Sequence, residues 1–569
     1  MSESADLPKI DIAKTDNRAF IYVGDDYRTY QASEKAQTVL VGKNDPPTVF
    51  VRGDVLAYIG TDKDSKEPII KIITEDTLTT ILHRICSFYV VKKVNGESKK
   101  ITRSPPREVI KDFLHNISKN KFKGIPLLHG ITQCPIINFK GEIQTIAGYN
   151  EEFKLVYISN ETLEISVPDH PTDDDIKKST AVLEDLLVDF PFCDQKDIHG
   201  NIDGKASKAN MMGTLIASAV PALLNDILQP MITITKPTQG TGSSFLCRIS
   251  HIIQTGMEPH MLEMPVKREE WSKLLLSCAI EGWTSMIFDN VDNVLYSPEL
   301  AMAITQIYQS GRILGVSQTA RIKFTPKWMA NGINITLSGD MPRRCVVINL
   351  DAGIEMPWLR DKFTHEDIIE YTKENRNKII SAILTIVRAW IQKGCPEPNK
   401  KIPQLQGFNE WRYLIGGILS IMPTREDPID GETPTHGWYF LTNLMDMYQK
   451  ADVGRGQWAE FMSEWHKKWG SDRWLNLSDV VRAIESSDAF DKELRYCLPE
   501  EVTNSVASGK DISRALGRAL HKQMDRVYRI DIPAVDGGVL MTFENRKLDN
   551  KSQWKLMEKV EKKKDPKVG

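Results

Sequence analysis

Charge of one sign, paired cysteines and long apolar runs are all missing from this chain, and each absence removes a class of function. Across 569 residues, 73 basic side chains stand against 76 acidic ones, so any binding to nucleic acid must come from local patches rather than from a bulk field. The eight cysteines, at positions 86, 134, 193, 247, 278, 345, 395 and 497, are scattered without zinc-ligand spacing. A zinc ribbon and a disulfide framework are therefore not expected. No apolar run approaches the roughly 18 residues of a membrane span, and the polar start MSESADLPKIDIAKTDN does not read as a signal peptide. The expected setting is the cytoplasm, with no membrane partner. The length allows three or four domains at about 150 residues each.

One further absence is local. The segment MITITKPTQGTGSSFL (Met231 to Leu246) runs from an apolar strand through a glycine-rich turn into a helix. That is the outline of a phosphate-binding loop, G-x-x-x-x-G-K-[ST]. In it, backbone N–H groups and the helix N-terminus hold the phosphates, the lysine reaches the β/γ oxygens, and the Ser/Thr hydroxyl binds Mg²⁺. Gly242 and Ser244 keep their places, with Gly240 and Thr241 as further candidate nucleotide-binding residues of the loop, but Pro237 replaces the first glycine and Ser243 stands where the lysine belongs. Lys236, just ahead of the loop, is the nearest cation able to fold back over the phosphates. Further on, SMIFDNVDN (Ser285 to Asn293) reads as a buried strand ending in Asp289, Asn290 and Asp292. A carboxylate there can share Mg²⁺ with Ser244; the other reading is a buried strand followed by an Asx turn. Strand-like runs at Ala330 to Leu337 and Cys345 to Leu350 follow, with GDMPRR (Gly339 to Arg344) between them.

These blocks, with PIINFKGEIQTIAGYN (Pro135 to Asn150) upstream and GRILG (Gly311 to Gly315) ahead of the last strands, resemble the AAA+ ATPase module of primase/helicase-type replication proteins carried by phages, plasmids and integrative elements. The resemblance covers residues from about 120 to 420 and departs from the family at Ser243. It implies ATP and Mg²⁺ as cofactors and a hexameric homo-oligomer. It also implies Asn334, ahead of Asn331, as the polar sensor near the γ-phosphate, and Arg343 or Arg344 as an arginine finger acting on a neighbouring subunit. By the same resemblance, Gly311 to Trp328 is a hairpin that projects into the central pore, with Arg312, Arg321 and Lys323 as candidate DNA contacts. The other reading of those three is ordinary surface charge. The long N-terminal primase-polymerase domain of some relatives is absent, so primer synthesis is not expected.

The C-terminal region carries its own signal. DISRALGRALHKQMDR (Asp511 to Arg526) places Arg514, Arg518, Lys522 and Arg526 four residues apart, hence along one helix face, with Ile512, Ala515, Leu516, Ala519 and Leu520 on the apolar face. An earlier helix at Leu477 to Ser487 has Ser478 as its expected N-cap. After the basic helix a strand is expected at Val527 to Val535, a turn at Asp536 to Gly538 and a returning strand at Gln553 to Val560, with Arg546, Lys547 and Lys551 between. That is the outline of a winged helix, whose second helix enters the major groove. A solvated basic face on a packing domain is the other reading. The lysine-rich tail from Lys555 to Lys567 is expected to be disordered.

Elsewhere Thr48 to Ile59 reads as a strand, Leu78 to Val91 as a helix, Pro168 to Asp175 as a linker and helix start, and Glu366 to Lys393 as one amphipathic helical stretch leading to a helix at Phe408 to Met422. The expected fold is α/β: a mixed α+β N-terminal domain (1–170), an AAA+ core of the P-loop NTPase type with a preceding helix (171–352), a helical lid (353–422) and a winged helix (437–560). The expected function is that of a replicative helicase-like ATPase of a mobile element with DNA as partner. The competing expectation is a DNA-binding scaffold or initiator with a degraded pocket. Because of Ser243, slow turnover is expected, with Ser243→Lys raising it.

Overall fold

The computed structural model describes residues 18–118, 124–158, 163–196, 202–313, 319–398, 402–429, 432–451, 453–486, 489–524, 526–532, 535–548 and 551–559. The chain is a mixed α/β protein with a parallel sheet, and it divides into two compact units, residues 1–447 and 448–569. Among the described residues no helix is long and apolar enough to cross a membrane. All eight cysteines are free thiols.

A five-stranded parallel sheet lies at the centre of the first unit, in the order Met261–Leu262, Ser285–Leu295, Lys327–Leu337, Met231–Lys236, Cys345–Asn349. Strands covered on both faces need near-continuous apolar residues, and Met231, Ile232, Ile234, Met286, Ile287, Phe288, Val346 and Ile348 supply them, all buried. Parallel neighbours cannot be joined by a tight hairpin. The helix Ser243–Thr255 therefore follows the first strand, and Arg268–Glu281 leads into Ser285–Leu295. The middle strand, Lys327–Leu337, sits between two strands that precede it in sequence. It sets Asn331 opposite Ile234 on one side and Ala330 opposite Phe288 on the other. Three neighbouring strands thereby bring Lys236, Asn331 and Asp289 together, the first at its strand's end and the other two within theirs.

Around this sheet the helices follow their sequence signals with some differences. Thr172 caps Asp173–Leu186 in a reciprocal capping box with Asp175, as a linker followed by a helix start requires. The stretch expected to be one helix over 366–393 is two, Ile368–Glu374 and Arg376–Gln392, meeting at Asn375. The buried Arg376 donates to the carbonyls of Ile252, Ile253 and Gln254 and so ties its helix to the end of Ser243–Thr255. A further helix, Asn409–Leu419, falls where one was expected.

Residues from Ile21 to Ile125 form a separate apolar cluster under the helices Thr29–Lys43, Glu75–Ile85 and Arg107–Ser118. The helix expected over 78–91 stops at Ile85, and Cys86–Val94 is a strand paired with Ala19–Tyr22 and Glu97–Arg103. Its run CSFYVV is β-branched and aromatic, which suits a half-buried pleated surface better than a helix. The single strand expected over 48–59 is a hairpin, Val49–Arg52 with Val55–Thr61.

The second unit packs the helices Val453–Trp469, Leu477–Glu485, Ala489–Tyr496, Glu500–Ala507 and Ile512–Gln523 against an antiparallel sheet. The sheet order is Leu475–Asn476, Lys551–Glu558, Val535–Leu548, Tyr528–Ile532. Trp458, Trp465, Phe543 and Trp554 fill its core with Leu516 and Leu520 of the basic helix. Three expectations are corrected here. Asp536 to Gly538 are strand residues, not a turn. The N-cap of Leu477–Glu485 is Asn476, not Ser478. Lys555 to Glu558 of the supposed tail complete the returning strand, while residues 560–569 lie outside the described ones, as do the polar residues 1–17.

Candidate functional site

The glycine-rich loop expected to bind phosphate begins where Met231–Lys236 ends and closes on Ser243, the first residue of its helix. Gly240 and Gly242 both take left-handed backbone, with φ of 80° and 95°. L side chains are strained there. A Cβ on Gly240 would also lie 2.6 Å from the Trp358 amide nitrogen, because the turn Pro357–Leu359 rests on the loop. The Thr241 hydroxyl is buried without a partner among the described residues. Such an orphan, in a loop whose N–H groups lead into a helix N-terminus, fits a site made for an anion.

Lys236 and Ser243 meet. Lys236 Nζ donates to Ser243 Oγ at 2.5 Å, so the ammonium stands against the first residue of the helix. Lys236 is partly buried, and its pKa is lowered, chiefly by burial, with the nearby Asp289 acting in the opposite sense. Ser243 Oγ in turn donates to Asn331 Oδ1 at 3.2 Å. Ser244 Oγ lies 3.3 Å from Asp289 Oδ1 and 3.4 Å from Asn331 Oδ1. The Asn331 amide nitrogen faces Cys247 Sγ at 3.7 Å, which turns its oxygen towards the two serines. Lys236, Ser243, Ser244, Asp289 and Asn331 thus form one connected polar cluster.

The asparagine beside the loop is Asn331, which is buried. Asn334, expected in that place, is exposed and has a left-handed backbone, φ 48°. Asn290 is likewise exposed and left-handed, φ 52°, with its N–H donating to Asp289 Oδ1 at 2.9 Å. The side chain of Asp292 lies outside the described residues. Nothing in the sequence pointed to Trp358, or to Phe190, whose ring would touch a Cβ on Gly242 at 3.0 Å. Only the fold brings them to the loop.

The paired arginines separate in role. Arg344 is mostly buried and donates to the Ala301 carbonyl and Thr305 Oγ1, both at 2.7 Å, and to Asp340 Oδ2 at 2.6 Å. It ties the turn Pro342–Arg344 to the helix Pro298–Ile304 and is not presented to a neighbour. Arg343 is exposed and holds Asp340 through both carboxylate oxygens. The two guanidinium groups hold the Asp340 carboxyl down at about 2.

The expected hairpin is present: Tyr308–Arg312 pairs antiparallel with Thr319–Lys323, and residues 314–318 of its turn lie outside the described ones. Arg312 and Arg321 are exposed, and Arg321 stacks on the Tyr308 ring at 4.5 Å. Lys323 is not a surface contact. It is buried and paired with Asp226. On the basic helix, Arg514 and Arg518 are exposed, Lys522 pairs with Glu501 at 3.0 Å, and Arg526 lies past the helix end at Gln523. The row expected to hold four cations therefore has two exposed ones on the helix with no ion pair among the described residues. Arg546 stacks on Trp474 at 4.2 Å, with Lys555 also over that ring at 5.1 Å.

No family model and no curated protein matches the chain. Among solved structures it is similar to an A-form apo structure of the NrS-1 C-terminal region, at 11% identity and a TM-score of 0.34, over 88% of this chain and 96% of that one. A second apo structure of the same region matches at 12% identity and a TM-score of 0.33, over the same shares. A likeness of this degree transfers no activity.

Proposed function

We propose that the first unit is a nucleotide-binding ATPase module in which Lys236 supplies the cation that the loop lacks at Ser243. The observation that carries this reading is the Lys236 to Ser243 contact. A lysine reaching into the loop from the preceding strand serves the same charge as one at the head of the helix. Backbone N–H groups of Gly240 to Ser244 and the helix N-terminus hold the phosphates. Ser244 and Asp289 hold Mg²⁺, which when bound neutralises phosphate charge. Asn331, linked to both serines, orients their hydroxyls. Arg343, once released from Asp340, is the candidate finger towards another copy of the chain. With the basic helix of the second unit, this makes a helicase-like AAA+ protein of mobile-element replication that moves DNA, acting as a hexameric ring.

Direct titration of the full chain with ATP and Mg²⁺, and turnover with and without single-stranded DNA, tests the reading. Binding that Lys236→Ala leaves intact overturns the assignment of the lysine. A second reading, a DNA-binding scaffold that holds nucleotide without hydrolysing it, is favoured by Asn290. An amide follows the metal carboxylate, and an amide cannot take a proton from an attacking water. Tight ATP binding without turnover in the presence of DNA would select it.

A further inference from the structure

At the opposite end of the central sheet, where its strands begin, the first unit holds a second cluster of positive charge. Arg52, His129, Lys323 and Lys327 line a cavity of about 70 Å³ with Asn225 and Gln254. Arg52, Lys323 and Lys327 are only 2%, 7% and 4% exposed. Their partners are nearly all neutral. Arg52 donates to the backbone carbonyls of His129 and Ala279 at 2.7 and 2.6 Å, and its Nε has no partner among the described residues. Lys327 Nζ donates to Ser218 Oγ at 2.7 Å and to the Oγ and carbonyl of Ser250 at 2.6 and 2.9 Å. Lys323 lies 3.3 Å from His129 Nδ1 and carries the one ion pair of the cluster among the described residues, to Asp226, whose side chain is 80% exposed.

The buried cations Arg52 and Lys323, with the amine of Lys327 beside them, face one solvent-exposed carboxylate, which leaves the cavity short of negative charge, and buried charge is costly unless it is opposed. His129 feels the same field. Its pKa falls to about 4, first through burial and then through the charge of Lys323, so it stays neutral and adds nothing to oppose. We propose that this cavity binds a phosphate-type oxyanion carried by a small phosphate-bearing molecule, with Lys323 and Arg52 as its cations. Asp226 is then a placeholder. It sits on Lys323 while the cavity holds only water, and turns into solvent when the oxyanion takes its partner. The cavity is well above the roughly 10–15 Å³ needed to hold one ordered water, so it has room for a small oxyanion. The site shares no residue with the phosphate loop and does not depend on the reading of that loop.

Calorimetric titration of the full-length chain with inorganic phosphate, at constant ionic strength held by chloride, tests the proposal. Saturable binding is expected, weakened at least tenfold by Lys323→Gln. Asp226→Asn should tighten it several-fold, because the competing carboxylate is gone. A misfolded variant cannot produce that gain. Absence of saturable binding, binding that Lys323→Gln leaves intact, or an Asp226→Asn variant that binds no better than the parent would each overturn the assignment.

Discussion

At the scale of single residues, the ammonium of Lys236 resting on Ser243 decides what substitution should do in the loop. At an effective dielectric near 20, an ammonium about 4 Å from a phosphate charge contributes roughly 4 kcal/mol, so Lys236→Ala should weaken nucleotide binding by up to about a thousandfold in a direct titration. The expected gain from Ser243→Lys now depends on Lys236. Alone, that change sets two ammonium groups against each other in a buried place and should lower both stability and affinity. Paired with Lys236→Ser, it moves the cation to the head of the helix and should restore binding. Equal behaviour of the single and the double variant would show that the lysine does not act here. Gly240→Ala should cost at least 1–2 kcal/mol in unfolding experiments, since its φ of 80° disfavours a side chain and Trp358 blocks the space.

Much of this site is legible in the sequence because its parts are local. Strand, turn glycines and helix start are contiguous, and Asp289 ends an apolar run. The choice between Asn331 and Asn334 is not legible. It depends on the register of the middle strand against both neighbours and on the left-handed backbone at Asn334, which breaks the strand alternation. Trp358 and Phe190 reach the loop only through tertiary packing.

Secondary-structure elements carry two more predictions. The middle strand begins at Lys327, whose burial pushes its ammonium down to about 7, against about 10.4 in an unfolded chain. Between those values the unfolded chain binds more protons than the folded one, so stability should rise with pH across that window, by up to about 1.4 kcal/mol per unit, and level off above it. Below pH 7 both states hold the proton and the slope vanishes. Urea unfolding of Lys327→Met across the window should show a flatter profile than the parent. The basic helix Ile512–Gln523 offers Arg514 and Arg518 with no ion pair among the described residues, while Lys522 is engaged with Glu501. Two phosphate contacts give a slope of log K against log salt of about −1.8, at roughly −0.9 each, where four would give about −3.6. Arg518→Ala should make the slope shallower by about one unit, and a salt-independent interaction would remove DNA binding from this helix. The four-residue spacing was visible in the sequence. That Arg526 falls past the helix end, and that Glu501 on another helix takes Lys522, was not, because both depend on where the chain turns.

For the whole molecule, the two arginines predict different phenotypes. Arg344 holds the turn Pro342–Arg344 to Pro298–Ile304, so Arg344→Ala should unfold more easily by roughly 1–3 kcal/mol. Arg343→Ala should be close to neutral in stability and, if copies of the chain share sites, should reduce turnover by about 10³. Mixing Arg343→Ala with Asp289→Ala chains should then recover part of the activity, measured as ATP turnover with single-stranded DNA. A chain that stays monomeric with nucleotide and DNA present rules out the ring.

Of the twelve tryptophans in the chain, Trp358 is the one with a largely exposed side chain, at 57%, and its backbone presses on Gly240. Indole emission moves to longer wavelength in polar surroundings and returns to shorter wavelength when water is removed. A ligand entering the loop displaces water from around that ring, so the unlabelled protein carries its own optical reporter. A blue shift on adding nucleotide that disappears in Trp358→Phe would time the arrival of ligand at the loop in a stopped-flow instrument.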